Sequence, residues 1–418
     1  MLDWLIGAVT LRHVWASPNT IWSLMAVAMY FGVPYNLGPG SAAAQAPFSS
    51  AFFAERFPLW ALVTFGYTAF WHVTLYYLNW ANRPFLPNRT YRLSKVAHNM
   101  AYSLSGVAIW VGFENVFAFL WATGRLPYLT DAQAFNTQWG LVNFLAGIAL
   151  IPVWRDAHFY FAHRFLHYKP MYNQVHSLHH RNTDIEPFSG LCMHPIEHLY
   201  YYSCILPNLL LFCSPLHLLW NGVHLLIAPA AGHSGFEDHF QADTFHYLHH
   251  RTYECNYAGG EAAALDVFFG TFKGRLDEAE SDRVPEERPD AKSTIFGLPT
   301  LEYVLYMVGA CGSVGAWAAA CCWEGAGPVG EALRGALGPV PPALTTPNAH
   351  LALALLAGFG PVVVGCAMAP AGYFGECAAA FVSSKPEARG EMLAATFHII
   401  VGTLFCSVPI ALACHMAY

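Results

Sequence analysis

The sequence predicts an all-α, polytopic helical membrane protein with a cytoplasmic, histidine-rich helical cap that holds a dimetal site. Three observations predict it. The first is composition: hydrophobic residues make up 55% of the 418-residue chain and charged residues 11%, where a soluble chain carries about a quarter charged. A soluble globule cannot hide that much apolar surface, and a disordered chain needs the opposite balance. The second is a series of apolar stretches near the length needed to cross a bilayer. The third is histidine: 15 of the 21 fall within residues 158–250, where uniform scatter would place about five. Net charge is −7 and no basic run occurs, which disfavours nucleic acid as a partner.

Taken in order, the apolar stretches lie at 19–34, 58–81, 104–123, 139–154, 198–213, 216–232, 298–320, 350–370 and 392–413. Pro152 interrupts the fourth, and Pro207 and Pro215 break the fifth and its turn. Some of these are therefore expected to be re-entrant or enclosed in a bundle. No small-residue cleavage site follows the first run closely, so it reads as an anchor and not a cleaved signal. With the N-terminus cytoplasmic, 17 of the 20 Lys and Arg residues fall on the cytoplasmic side and Arg56, Arg125 and Arg334 opposite. That asymmetry fixes the expected orientation.

Spacing among the histidines matters more than their number. His163 and His167 are four apart, His176, His179 and His180 are three and four apart, and His246, His249 and His250 repeat that second pattern. On a helix, i+3 and i+4 share one face, so each box aims its imidazoles at one point. A lone membrane-edge histidine is more often hydrogen-bonded than a ligand. Three boxes near membrane ends on one side point to two divalent metals instead. None of the 11 cysteines lies in a box, and neither CxxC nor HExxH occurs. The donor set suits iron, zinc or copper. With few carboxylates the site stays cationic, which suits a strongly oxidising centre able to attack an unactivated C–H bond.

At these residues the chain resembles the membrane fatty acid hydroxylase/sterol desaturase superfamily. Asp156-Ala-His-Phe-Tyr-Phe-Ala-His163-Arg-Phe-Leu-His167 resembles its first box, and His176-Ser-Leu-His179-His180 its second. Pro187-Phe through His194-Pro-Ile-Glu resembles a segment of the sterol C-5 desaturase (lathosterol oxidase-like) branch. His233-Ser-Gly resembles the inter-box histidine, and Phe245-His246-Tyr-Leu-His249-His250, Asn256-Tyr257 and Leu265-Asp266-x-x-Phe269 the third box and its tail. Two departures occur: Ala258 stands where the family usually has Gly, and Leu265 where Trp often precedes the Asp. The likeness divides the chain into N-terminal membrane helices (1–94), a catalytic core (95–275), a charged linker (276–295) and C-terminal membrane helices of unassigned role (296–418).

The resemblance implies a non-haem diiron, O2-dependent oxidase of the endoplasmic reticulum membrane. Electrons would come from NAD(P)H through cytochrome b5 and its reductase as separate proteins. Arg155, Arg164, Lys169, Arg181 and Arg251 either dock that donor or serve topology and headgroups. The expected metal ligands are His163, His167, His176, His179, His180, His246, His249 and His250, with His194 and His233 added on resemblance. Asp156, seven residues before His163, is placed to fix an imidazole tautomer, and Asn256 to orient a ligand or a bound water. Tyr200, Tyr201 and Tyr202 either wall a rigid lipid or form an interfacial belt. The expected reaction introduces a ring double bond into a sterol drawn from the bilayer. Hydroxylation of an acyl, alkyl-ether or methyl-sterol lipid is the alternative, and a metal transporter the remote one.

Overall fold

The computed structural model describes residues 18–32, 37, 49–81, 84–86, 92–136, 144, 147, 151, 154–155, 158–206, 208, 214–236, 242–259 and 264–273. Among them every regular element is a helix, and Pro84 and Phe236 form one isolated antiparallel bridge. The linker at 276–295 and the apolar stretches at 298–320, 350–370 and 392–413 lie outside the described residues.

Four helices form an apolar bundle: α1 (Pro18–Gly32), α2 (Ser50–Tyr76), α3 (Leu93–Ala122) and, later in the chain, α7 (Pro215–Gly232). They take up the stretches expected at 19–34, 58–81, 104–123 and 216–232. The boundaries move most for α3, which begins eleven residues before its apolar stretch. Its early turns carry Asn99 and Ser103 to the interior, where Asn99 Nδ2 donates to Asn182 Oδ1 and Glu186 Oε1 and Ser103 donates to Asn99 O. Ser49 caps α2 by accepting from Phe52 N, and Ser214 caps α7 by accepting from Leu216 N with Pro215 at the first helical position. α3 is the one described helix long and apolar enough to cross a membrane. At about 1.5 Å per residue its 30 residues span about 45 Å.

The helices meet around tryptophans. The Trp60 ring of α2 sits edge-on to Trp110 of α3, centroids 5.7 Å apart, and donates Nε1–H to the buried Glu114 at 2.6 Å. Gly222 of α7 faces this pair; a Cβ there would collide with both rings. Gly190 permits a similar approach, with its Cα against the backbone of Pro229 and Ala230. α4 (Asp131–Asn136) is tied to α1 through Tyr30, whose hydroxyl donates to the Asp131 carboxylate at 2.6–2.7 Å.

A second layer packs against the bundle. It contains a helical run at 158–166, α5 (Lys169–Gln174), 3-10 turns at His176–Arg181 and Pro187–Ser189, α6 (Pro195–Tyr202), α8 (Ala242–Thr252) and α9 (Ala264–Phe269). Its apolar packing is local. Ala162, Phe165, Leu166, Met171, Val175 and Tyr200 form one cluster, and Tyr160, Phe245, Tyr257 and Ala258 another. The stretch expected at 198–213 is not one continuous helix. α6 ends at Tyr202, and Ser203 turns the chain while its hydroxyl donates to Tyr200 O. The 84–86 segment straps the two layers together: Phe85 N donates to Gly235 O, and the Phe85 ring stacks on Tyr247 of α8 at 4.2 Å.

Candidate metal centre

His163 and His167 lie one turn apart on the 158–166 helix and the turn that ends it, where His167 N donates to His163 O. The second box differs from expectation, because His176–Arg181 is a 3-10 turn rather than an α-helix. There the Nε2 atoms of His176 and His180 approach to 3.0 Å, while His179 turns toward His233 and His250. The third box sits on α8, where His246 and His250 share a face and His249 is rotated about 100° from His250. His233 ends α7 as its C-cap residue.

These segments bring nine imidazoles into two groups. His163, His167, His176, His180 and His249 form one; His179, His233, His246 and His250 form the other. The second and third boxes are thus divided between the groups rather than each aimed at one point. In the first group His176 Nε2 lies 3.1 Å from His163 Nε2 and 3.0 Å from His180 Nε2, which is itself 3.2 Å from His167 and 3.0 Å from His249. In the second, His250 Nε2 lies 3.1 Å from both His179 and His233 and 3.2 Å from His246.

The outer nitrogens fix the tautomers. Nδ1 of His163 faces Tyr257 O at 2.8 Å, His179 faces Cys192 O at 3.3 Å, His233 faces Pro229 O at 2.7 Å and His249 faces Cys255 O at 2.6 Å. A carbonyl only accepts, so each Nδ1 carries the proton and each Nε2 a lone pair. His176 Nδ1 lies 2.7 Å from Glu197 Oε1. Burial pushes every ring of both groups down, His179 to about 4 and His176 to about 3, and neighbouring imidazoles lower several further. The rings are neutral at pH 7, the form that binds a metal.

The donor set fits two divalent ions. His179 and His233 present lone-pair nitrogens to each other at 3.3 Å, and such a pair cannot hydrogen-bond, so a cation between them resolves the repulsion. Nitrogens on one ion at about 2.1 Å stand about 3.0 Å apart at a right angle and about 3.4 Å apart when tetrahedral. The spacings of 3.0–3.3 Å span that range. No thiolate or carboxylate belongs to either group, and a set of imidazoles suits iron, zinc or copper.

His194 is not in these groups. It caps α6, with Nδ1 accepting from Ile196 N at 3.2 Å. Asp156 lies outside the described residues. The Asn256 side chain is engaged by backbone: Nδ2 donates to Phe245 O and Lys273 O, and Oδ1 accepts from Lys273 N. It clasps the start of α8 to the segment after α9, and its φ of +53° suits Asn. His158, His198 and His217 pair with Ser203 Oγ, Tyr102 O and Phe144 O respectively. Tyr200 and Tyr202 are buried packing residues, the latter edge-on to Trp110. Of the five basic residues around the boxes, Arg155 is buried with its guanidinium over Trp220, and Arg164 lies over Tyr160, Tyr257 and Phe269.

Two carboxylates gain roles that spacing did not reveal. Glu197 holds His176; the signal is a single acid in the first turn of the otherwise apolar and aromatic α6. Asp266 accepts from Tyr257 N, Ala258 N and Thr271 Oγ1 at 2.6–2.8 Å, and so places the Tyr257 carbonyl on His163. Burial raises the Asp266 carboxyl, while these donors oppose the rise. A third buried acid, Glu186, accepts from His72 and Asn99 of the bundle and caps the Pro187–Ser189 turn.

Residues 148–271 match the model of the fatty acid hydroxylase family. Among curated proteins the chain is similar to a Delta(7)-sterol-C5(6)-desaturase of Nicotiana tabacum, 29% identical over 42% of this chain and 62% of that one. It is similar to methylsterol monooxygenase 1 of Gallus gallus, 30% identical over 28% of this chain and 42% of that one. It is also similar to fatty acid hydroxylase domain-containing protein 2 of Macaca fascicularis, 31% identical over 31% of this chain and 39% of that one. The chain spans about half the length of the curated relatives it matches. No solved structure matches it.

Proposed function

We propose, from the premise that residues 148–271 are a fatty acid hydroxylase domain, that the protein is an O2-dependent membrane diiron oxidase that introduces a double bond into a sterol ring. The observation that carries the reading is the pair of buried, neutral imidazole groups whose lone pairs converge. Support for the sterol comes from the relatives named as sterol C5(6)-desaturases.

His163, His167, His176, His180 and His249 hold one iron, and His179, His233, His246 and His250 the other. Bound there, the metals supply O2 activation and removal of hydrogen from an unactivated C–H bond, made strongly oxidising by a ligand set of neutral imidazoles. The chain's own residues do the rest. The carbonyls of Tyr257, Cys192, Pro229 and Cys255 hold four rings in one tautomer, with Nε2 turned inward. Burial of the rings keeps them neutral and excludes water.

With iron bound, placement of the reacting carbon to within about an ångström would select between loss of a second hydrogen, giving an alkene, and oxygen transfer, giving an alcohol. The methylsterol monooxygenase relatives favour the hydroxylase as the second reading. The enzyme sits in the endoplasmic reticulum membrane with its histidine boxes cytoplasmic. Electrons pass from NAD(P)H through cytochrome b5 and its reductase, docking at Lys169, Arg181 and Arg251, which keep some exposure.

The test is expression with a donor system and labelled sterol and acyl lipids. A product two mass units lighter that requires O2 and is abolished in His179→Ala and His249→Ala supports the desaturase. A gain of oxygen selects the hydroxylase. Full product formation by both variants rejects the metal oxidase, and metal flux into proteoliposomes without turnover selects a transporter.

A further inference from the structure

Five of the nine converging rings have a hydrogen-bond partner at Nδ1. Four face backbone carbonyls, and one, His176, faces a carboxylate: Glu197 Oε1 at 2.7 Å. Glu197 stands in the first turn of α6 and is 3% exposed. Its other oxygen, Oε2, is buried without a hydrogen-bond partner; the carboxyl also acts through space on His179 of the second group, but it hydrogen-bonds only His176 among the nine rings. Among the described residues no carboxylate is hydrogen-bonded to a ring of the second group. There His179 and His233 face carbonyls, and the His250 Nδ1 is buried without a partner.

We propose that Glu197 is a positioning residue that makes the two metal positions unequal. Acting through His176, it strengthens metal binding in the five-imidazole group and lowers that ion's reduction potential relative to its neighbour. The inference rests on the metal reading above. A carboxylate on the outer nitrogen of a ligating imidazole raises the basicity of the inner one more than a neutral carbonyl dipole does. A more basic donor favours the more highly charged metal state. Burial by itself raises the Glu197 carboxyl toward its neutral form; a cation on His176 opposes that rise, and the ionised carboxylate is poorly screened there. The ion in the five-imidazole group is therefore the last to leave and the harder to reduce.

The test uses the full chain in detergent, loaded anaerobically with ferrous iron and challenged with a ferrous chelator. Wild type releases its two ions in a fast and a slow phase. Glu197→Gln keeps the side chain's size and an acceptor oxygen for His176 Nδ1 but removes the charge. It accelerates the slow phase about 10- to 100-fold and the fast phase by much less. The midpoint potential of the slowly released ion rises, and the two ferrous Mössbauer signals move closer together. Unchanged release in Glu197→Gln overturns the proposal, as does equal acceleration of both phases or the same acceleration in Glu186→Gln. So does loss of both ions together with helical content. A wild type that binds no iron overturns the metal reading and this inference with it. Two retained ions without a Glu197 effect overturn this inference alone.

Discussion

A carbonyl that only accepts is enough to decide where a proton sits on an imidazole, and four such carbonyls orient the rings of His163, His179, His233 and His249. Spacing marks His163, His179 and His249 as candidate ligands and resemblance marks His233; the partners that fix them are not legible, because Pro229, Cys192, Tyr257 and Cys255 act through backbone atoms that every residue has. Removing a ring should therefore act on the metal before the fold. His233→Ala takes one of four nitrogens from its group, and metal analysis should find the iron content falling from two ions per chain toward one. Asp266→Ala works at one remove. It frees Tyr257 N, Ala258 N and the Thr271 hydroxyl, which should cost about 1–3 kcal/mol of stability for the unpaired groups and loosen the His163 carbonyl. A thermal melt and a metal assay on the same preparation would show both, and a stable, fully loaded Asp266→Ala protein would contradict the assignment.

At the scale of elements, the apolar runs announced α1 and α7 to within two residues at each end, but placed the starts of α2 and α3 eight and eleven residues late. α3 starts well ahead of its apolar run because Asn99 and Ser103 find partners inside the protein, and a hydropathy pattern carries no record of such partners. The second histidine box was misread for a related reason. HxxHH reads as α-helical spacing, but His176–Arg181 winds as a 3-10 turn. The winding does not decide the grouping: in this turn and in the α-helical third box alike, the histidines four apart join one group and the one three along joins the other. The close meeting of α2, α3 and α7 at Gly222 is likewise a matter of contact. Gly222→Ala would press a methyl into the Trp60 and Trp110 rings, an overpacking that should cost about 1–3 kcal/mol. The melting temperature in detergent should drop while the metal content of the folded fraction holds.

For the whole molecule, the burial of so many imidazoles links stability to pH with a definite sign. Burial holds His179 at about 4 and His176 at about 3, against an ordinary value of 6.5. Below pH 6.5 the unfolded chain takes up protons that the folded chain refuses, so the folded state loses stability as pH falls from 6.5 toward 4. Bound metal opposes this until protons displace it. Chelator-treated protein should therefore unfold at lower denaturant at pH 5 than at pH 7.5, with a smaller difference for the iron-loaded form. A midpoint that does not move with pH in the metal-free protein would mean that the rings are solvated.

By itself the sequence determined a helical, strongly apolar chain and eight candidate nitrogen donors, since apolar run length and i, i+3, i+4 spacing are local quantities; His233 and His194 are added only on resemblance. Tertiary structure alone decided how the nine converging nitrogens divide, five to one group and four to the other, and that Glu197 meets His176 across 21 residues. It also turned His194 into a helix cap and Asn256 into a backbone clasp. The reason is geometric. Spacing fixes the angle between side chains on one element, whereas the meeting of rings from different elements depends on how those elements pack.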